Sequence, residues 1–366
     1  MHSILCGDDD MISFEDFMNE IKMKCKENEI STLLTASYEI TNDCNMSCVH
    51  CYNRDIINNK KNISLSKKLE IINKIYSMGI VELVICGGEP FLDKDIIKII
   101  DECKKLGIRI VILTNGILLN EDMIFELEKR LGRYDVIQVS YDELKSNKIT
   151  TQRKLNENQI LKLNNNIKLL QNSNLNVEYN ITITSLNQND VENIFNKLVN
   201  LGAKKIGSTP YVPLGGKKYD LLKPDYDYLM RINEVIKKIA KINNCNYLGG
   251  IDGHVCQRSN KAINKKIKMT KKFRECTAAE FKFHVKSNGD IYPCVFMTDV
   301  KFKLGNIFNL DYEFNERMKS IKNSIKSSLP LKCNSCELIE ECQGGCPGLI
   351  YDRYKELNRV DPRCIN

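Results

Sequence analysis

The chain has no run that approaches the roughly 18 uncharged apolar residues of a membrane-spanning helix. Its opening, Met1 to Asp10, turns acidic before a signal-peptide apolar region could develop. The expectation is a cytoplasmic protein with no membrane partner. Histidine is scarce. Four among 366 residues nearly exclude sites built on several imidazole ligands, such as a catalytic three-histidine zinc. No G-x-G-x-x-G fingerprint and no P-loop follows any strand-like run, and there is no internal repeat. Nor is one sign of charge in large excess: 54 Lys plus Arg against 47 Asp plus Glu give +7, which without a localised stripe implies no nucleic-acid partner.

Cysteine, by contrast, is abundant, at 16 residues. A small secreted scaffold would use them as disulfides, but a chain this long with 42% apolar residues builds a core of its own. Without an export signal its thiols stay reduced. Clustered reduced thiols point to metal, and with so few imidazoles the ligands are sulfur.

From Ala36 onward, short β-type runs alternate with longer amphipathic ones. The runs are Ala36 to Ile40, Val81 to Ile85, Arg109 to Leu113, Val136 to Ser140, Val177 to Thr184 and Lys205 to Tyr211. Helical patterns fill the gaps at Leu65 to Met78, Lys94 to Leu106, Glu121 to Leu131, Asn158 to Gln171 and Val191 to Leu201, with Gly79, Gly107 and Gly202 as stop signals. This alternation predicts parallel βαβ units, too few to close an eight-stranded barrel. The expected fold is therefore α/β, a partial (β/α)6 TIM-like barrel over 36–245. Before it, 1–35 reads as one helical segment, Ile12 to Lys26. After a helix at Asp225 to Ile242, residues 246–275 read as a linker and 276–366 as a small cysteine-rich domain, poor in regular apolar pattern and stabilised by bound metal.

Cys44, Cys48 and Cys51 stand as C-x3-C-x2-C directly after the first strand-like run. Three thiolates hold three corners of a [4Fe–4S] cubane and leave one iron open to a small molecule. On the triad alone, a zinc knuckle with a distant fourth ligand stays open. Behind CNMSCVHCY comes Cys86-Gly87-Gly88-Glu89-Pro90 at the end of the second strand. Two glycines permit close backbone approach, and a carboxylate can pair with an amino group. Together these segments resemble the radical S-adenosylmethionine superfamily. The resemblance implies that the amino and carboxylate groups of S-adenosylmethionine chelate the open iron. One electron then cleaves the cofactor into methionine and a 5′-deoxyadenosyl radical.

Further strand ends carry softer matches. Thr114-Asn115-Gly116 ends the third strand and Ser140-Tyr141-Asp142 the fourth; the latter resembles a family segment whose serine, with a later arginine, contacts the cofactor. Arg153 is the candidate arginine, although Glu143 stands where the family usually has glycine. His50 precedes the third cysteine, where many members have an aromatic, and its ring is expected near the adenine. The resemblance thus implies a cofactor site of His50, Gly87, Gly88, Glu89, Pro90, Asn115, Ser140, Asp142 and Arg153. Bland alternatives exist: TNG is a good turn, Arg153 a solvated helix residue and His50 a surface loop residue.

The tail reads Cys276, Cys294 within NGDIYPC, then Cys333, Cys336, Cys342, Cys346 and Cys364. Its spacings resemble the SPASM extension of peptide-modifying radical enzymes; the rival is a pair of zinc ribbons. The resemblance implies that Cys333, Cys336, Cys342 and Cys364 hold one auxiliary [4Fe–4S] cluster, and that Cys276, Cys294 and Cys346 hold another. Cys256 is a candidate fourth ligand of the latter. Three [4Fe–4S] clusters and S-adenosylmethionine are the expected cofactors. Of the remaining cysteines, Cys103 reads as core, and Cys86 as packing ahead of hydrogen-atom donation.

The function implied is reductive cleavage of S-adenosylmethionine and modification of a ribosomally made precursor peptide by a thioether or carbon–carbon link. A flavodoxin- or ferredoxin-type protein would donate electrons. Tetrapyrrole side-chain modification stands second. Sulfatase maturation is disfavoured, because those relatives carry an aspartate base where this chain has Val295, with Asp299 close by. A zinc- or cluster-stabilised binding module is the non-enzymatic alternative. The basic run Lys261 to Arg274 reads as a solvated face first and as a docking strip for an acidic leader peptide second.

Overall fold

The computed structural model describes residues 33–54, 57, 62–142, 152–249, 276–336 and 339–364. The expected helix Ile12 to Lys26, the basic run Lys261 to Arg274, Glu143 and Cys256 lie outside the described residues.

Alternating apolar residues make the strands. In β1 (Thr35–Thr41) Ala36, Tyr38 and Ile40 are buried on one face, and β5 (Val177–Ile183) buries Val177, Tyr179, Ile181 and Ile183 in the same rhythm. Between them lie β2 (Glu82–Gly87), β3 (Arg109–Thr114) and β4 (Val136–Ser140), and β6 (Lys205–Pro210) follows. All six are parallel, each beside the next in chain order. This is the six-unit arc expected from the sequence.

Parallel neighbours need crossovers, here α1 (Leu65–Ser77), α2 (Ile96–Lys105), α3 (Glu121–Glu128), α4 (Glu157–Gln171) and α5 (Val191–Asn200). In α2, Ile96, Ile99, Ile100 and Cys103 fall on one stripe and are lost to the core, which makes Cys103 a packing residue. Each fully buried isoleucine contributes about 1.5–3 kcal/mol. The chain leaves α2 through Gly107 at φ 72°, a left-handed conformation that a side chain resists. After β6, α6 (Tyr226–Ile242) leads to the two-residue β7 (Asn246–Tyr247). Among the described residues no helix is long and apolar enough to cross a membrane.

The cysteine-rich segment grows out of the first edge of this sheet. β8 (Lys282–Val285) lies parallel to β1, with His284 opposite Ser37, and β9 (Asp290–Tyr292) and β10 (Gly305–Asn306) continue antiparallel. The segment is more regular than its composition suggests. It contains α7 (Phe314–Ser327), α8 (Ile339–Cys342) and α9 (Pro347–Tyr354). In α7 only Phe314, Met318 and Ile325 are buried, so the apolar period is thin among Lys, Ser and Asn. Ile325 joins Ala278, Met297, Phe302 and Tyr351 in a small second core, against which Cys276 and Cys294 pack.

Candidate active site

The loop after β1 brings three thiols and a cation together. Burial pushes up the thiols of Cys44, Cys48 and Cys51, that of Cys48 to about 12. Cys51 raises both others electrostatically, whereas the guanidinium of Arg153 favours the thiolate of all three. The loop is held in place by backbone: Val49 N donates to Gln152 O at 2.8 Å, and Cys51 N to Cys48 O at 3.3 Å. A cavity of about 300 Å³, lined by Cys44, Met46, Ser47, Arg153, Lys154 and Gln159 among others, opens beside it.

The glycines after β2 serve this loop directly. Gly88 N donates to Thr41 O and Glu89 N to Asp43 O, both at 2.8 Å. A Cβ on Gly87 would stand 2.3 Å from Thr41 O, and one on Gly88 2.0 Å from Asp43 O. The close approach that requires glycine here is thus between two backbone segments. Pro90 opens a short 3-10 turn, Pro90–Leu92.

Glu89 is buried, and burial raises its pKa. Its carboxylate accepts from Thr114 Oγ1 at 2.7 Å, Asn115 N at 2.8 Å and Phe91 N at 3.2 Å. Asn115 in turn donates from Nδ2 to Asn45 Oδ1 at 2.7 Å. These bonds lock the ends of β2 and β3 to the cysteine loop.

Asp142, just past β4, is the hub of the opposite side. Its Oδ2 accepts from Arg153 Nε at 2.5 Å, and its Oδ1 from Thr182 N at 2.6 Å. Arg153 is buried, so the solvated-helix alternative does not hold. His50 Nε2 lies 3.5 Å from the same Oδ2. Burial drives the His50 pKa down to about 4 against the pull of Asp142, so the ring is neutral near pH 7. Ser140 is half-buried at the end of β4, opposite Asn180.

Sequence reading missed two partners of this region, Glu39 and His284, both buried. A charged residue inside the apolar run ASYEIT and one of only four histidines were the available signals.

In the tail, Cys276, Cys294 and Cys346 form a second thiol group. Burial pushes Cys294 to about 12 and also raises Cys346, with smaller contributions from the neighbouring thiols. Asp361 ties the chain end to this group: it accepts from Cys346 N at 2.8 Å and pairs with Arg363, whose charge favours the Cys346 thiolate. Cys333, Cys336 and Cys342 sit on consecutive turns, Cys336 N donating to Cys333 O and Gly345 N to Cys342 O, and Cys364 N donates to Asp361 O.

Among the described residues no three His, Cys, Asp or Glu groups stand at single-ion spacing. The donor chemistry, sets of thiols with an arginine beside two of them, fits iron–sulfur clusters, whose ligands bind separate irons.

The profile of the radical SAM superfamily matches residues 38–198, and that of an iron–sulfur cluster-binding domain matches 276–346. The antilisterial bacteriocin subtilosin biosynthesis protein AlbA of Bacillus subtilis is 24% identical over 339 residues, 90% of this chain and 71% of that protein. The AdoMet-dependent heme synthase of Methanosarcina barkeri is 23% identical over 341 residues, 90% of this chain and 95% of that protein. In three dimensions, Streptococcus suis SuiB bound to precursor peptide SuiA matches with a TM-score of 0.73 at 22% identity, covering 100% of this chain and 85% of that one. That likeness shows the fold.

Proposed function

Because the chain belongs to the radical SAM superfamily and carries a SPASM-type iron–sulfur cluster-binding domain behind the barrel, we propose that it is a maturase that crosslinks a ribosomally made peptide. The observation that carries the reading is the convergence of three thiols and Arg153 at the carboxyl ends of the strands, where barrels of this kind do their chemistry. In this reading Cys44, Cys48 and Cys51 hold the [4Fe–4S] cluster that binds S-adenosylmethionine. Cys276, Cys294 and Cys346, with Cys256, hold a second cluster, and Cys333, Cys336, Cys342 and Cys364 a third.

Reduced and bound, the cofactor supplies a radical that removes a hydrogen atom from the substrate. The chain's part is to place it. Gly87 to Pro90, Asn115, Ser140, His50 and the Asp142–Arg153 pair surround the cofactor. The Glu89 lattice keeps the loop rigid, so that the radical's position is set by hydrogen bonds rather than by side-chain freedom. A flavodoxin- or ferredoxin-type protein donates the electrons.

Two named relatives support a peptide substrate: one belongs to bacteriocin biosynthesis and the other binds a precursor peptide. Tetrapyrrole side-chain modification is the second reading, favoured by the near full-length likeness to a heme synthase. Sulfatase maturation fits less well. Val295 is no base, and the carboxylate of Asp299 caps the turn Val300–Phe302 and lies 3.6 Å from Lys355. The deciding experiment incubates anaerobically reconstituted enzyme, S-adenosylmethionine and reductant with any short Cys- or aromatic-rich peptide encoded beside the gene and, in parallel, with a porphyrin. Loss of two hydrogens from the peptide is expected. Formation of 5′-deoxyadenosine with an unaltered peptide, but with a modified porphyrin, would move the assignment to tetrapyrroles.

A further inference from the structure

The face of the sheet turned away from the helices holds a carboxylate that the cofactor site does not use. Tyr38 and Ile40 belong to the helix-covered core, so strand alternation turns Ser37 and Glu39 to the inside of the arc. Glu39 is only 1% exposed. Its Oε1 accepts from Asn53 Nδ2 at 2.8 Å and lies 3.1 Å from His284 Nε2, while among the described residues Oε2 has no partner. His284 is fixed from behind by Ser37 Oγ, 2.8 Å from Nδ1.

The location is informative. Glu39 faces Cys86 across the β1–β2 register, one residue before Gly87. Its charge is felt by the thiols of Cys51 and Cys86 and by the phenol of Tyr52. It therefore lies beside the end of the cysteine loop, bonded to Asn53, two residues past Cys51. Burial opposes its ionisation, but His284, Asn53 and Lys286 outweigh burial and hold its carboxyl below the usual range. An ionised, buried carboxylate with one free oxygen costs stability unless a donor arrives to meet it.

We propose that Glu39 is the base that takes the proton the peptide gives up when its crosslink closes, with His284 and Asn53 fixing the carboxylate so that Oε2 meets the substrate. This rests on the crosslinking reading above. Joining two substrate atoms removes two hydrogens. One leaves as a hydrogen atom in the radical step that S-adenosylmethionine supplies. The other leaves as a proton to Glu39 Oε2 and an electron to an oxidised iron–sulfur centre, so that the two substrate atoms keep one electron pair as the new bond.

The test uses reconstituted holoenzyme and, in perdeuterated form, the peptide that the wild type crosslinks. Glu39→Gln should lower crosslinked product about a hundredfold, while deuterium still passes from the peptide into 5′-deoxyadenosine. Glu39→Asp should recover part of the loss, and iron content and the paramagnetic signals should match wild type. Wild-type crosslinking by Glu39→Gln, or loss of deuterium transfer in step with product, would overturn the assignment while the crosslinking reading stands. If the wild type itself modifies no peptide, the crosslinking reading falls, and the role of Glu39 with it.

Discussion

Arg153 and Asp142 form a buried ion pair, Nε to Oδ2 at 2.5 Å, although eleven residues separate them in the chain. The pair joins the cysteine loop to the end of β5, because Asp142 Oδ1 also receives Thr182 N. Asp142→Asn removes the carboxylate opposite a buried guanidinium, a change that typically costs about 3–5 kcal/mol. Chemical denaturation should show a loss of that order. Near-wild-type stability would mean that other groups already neutralise Arg153.

Gly88 is constrained by the backbone of Asn42 and Asp43. A methyl group there would overlap Asp43 O at 2.0 Å, and neither segment can yield without moving the cysteine loop. Gly88→Ala should therefore cost about 1–3 kcal/mol and lower the iron bound after reconstitution. Gly107→Ala is the control: it meets no atom within 4 Å and bears only the strain of its positive φ, about 1–2 kcal/mol. It should leave iron content unchanged. Equal iron loss in both variants would show that the loop is not the sensitive element.

Asp220 and Arg353 couple the stretch after β6 to α9 through a two-pronged contact, 2.7 and 2.5 Å. The arginine holds the Asp220 carboxyl below its usual range. A lowered folded-state pKa adds stability that is fully present above the unfolded value, about 3.9, and is lost as pH falls through the folded value. Asp220 is partly exposed, so screening leaves about 1 kcal/mol or less. The stability difference between wild type and Asp220→Asn should be measurable at neutral pH and should close in acid. A difference that persists in strong acid would assign the effect to packing.

Much of this architecture was legible because it is local. The six barrel strands, their helices and the stop at Gly107 follow from patterns a few residues long, and so do the spacings that carry the cluster resemblance. What escaped depends on long-range pairing. His284 reaches Glu39 across 245 positions, and β8 finds its place only beside β1, so no window of sequence contains either fact. The helix Phe314–Ser327 escaped for a different reason: just three of its residues face a core, too few to stand out against its Lys and Ser. The purpose of Gly87 and Gly88 was half legible, since close approach was expected but its partner, the backbone of Thr41 and Asp43, was not.

The two thiol groups stand in different surroundings. The loop thiols share Arg153, whereas Cys346 draws on Arg363, and Cys276 and Cys294 pack against the small core of Ala278, Met297, Phe302, Ile325 and Tyr351. Replacing Cys44, Cys48 and Cys51 together by Ala should therefore abolish 5′-deoxyadenosine formation and remove one cluster's worth of iron, leaving the auxiliary signals in place. Because metal binding contributes folding energy, loss of the loop cluster should also lower the thermal stability of the barrel more than that of the tail. Iron analysis and paramagnetic spectra of the triple variant decide the matter: disappearance of all iron would show that the tail cannot assemble its clusters unless the first site is filled.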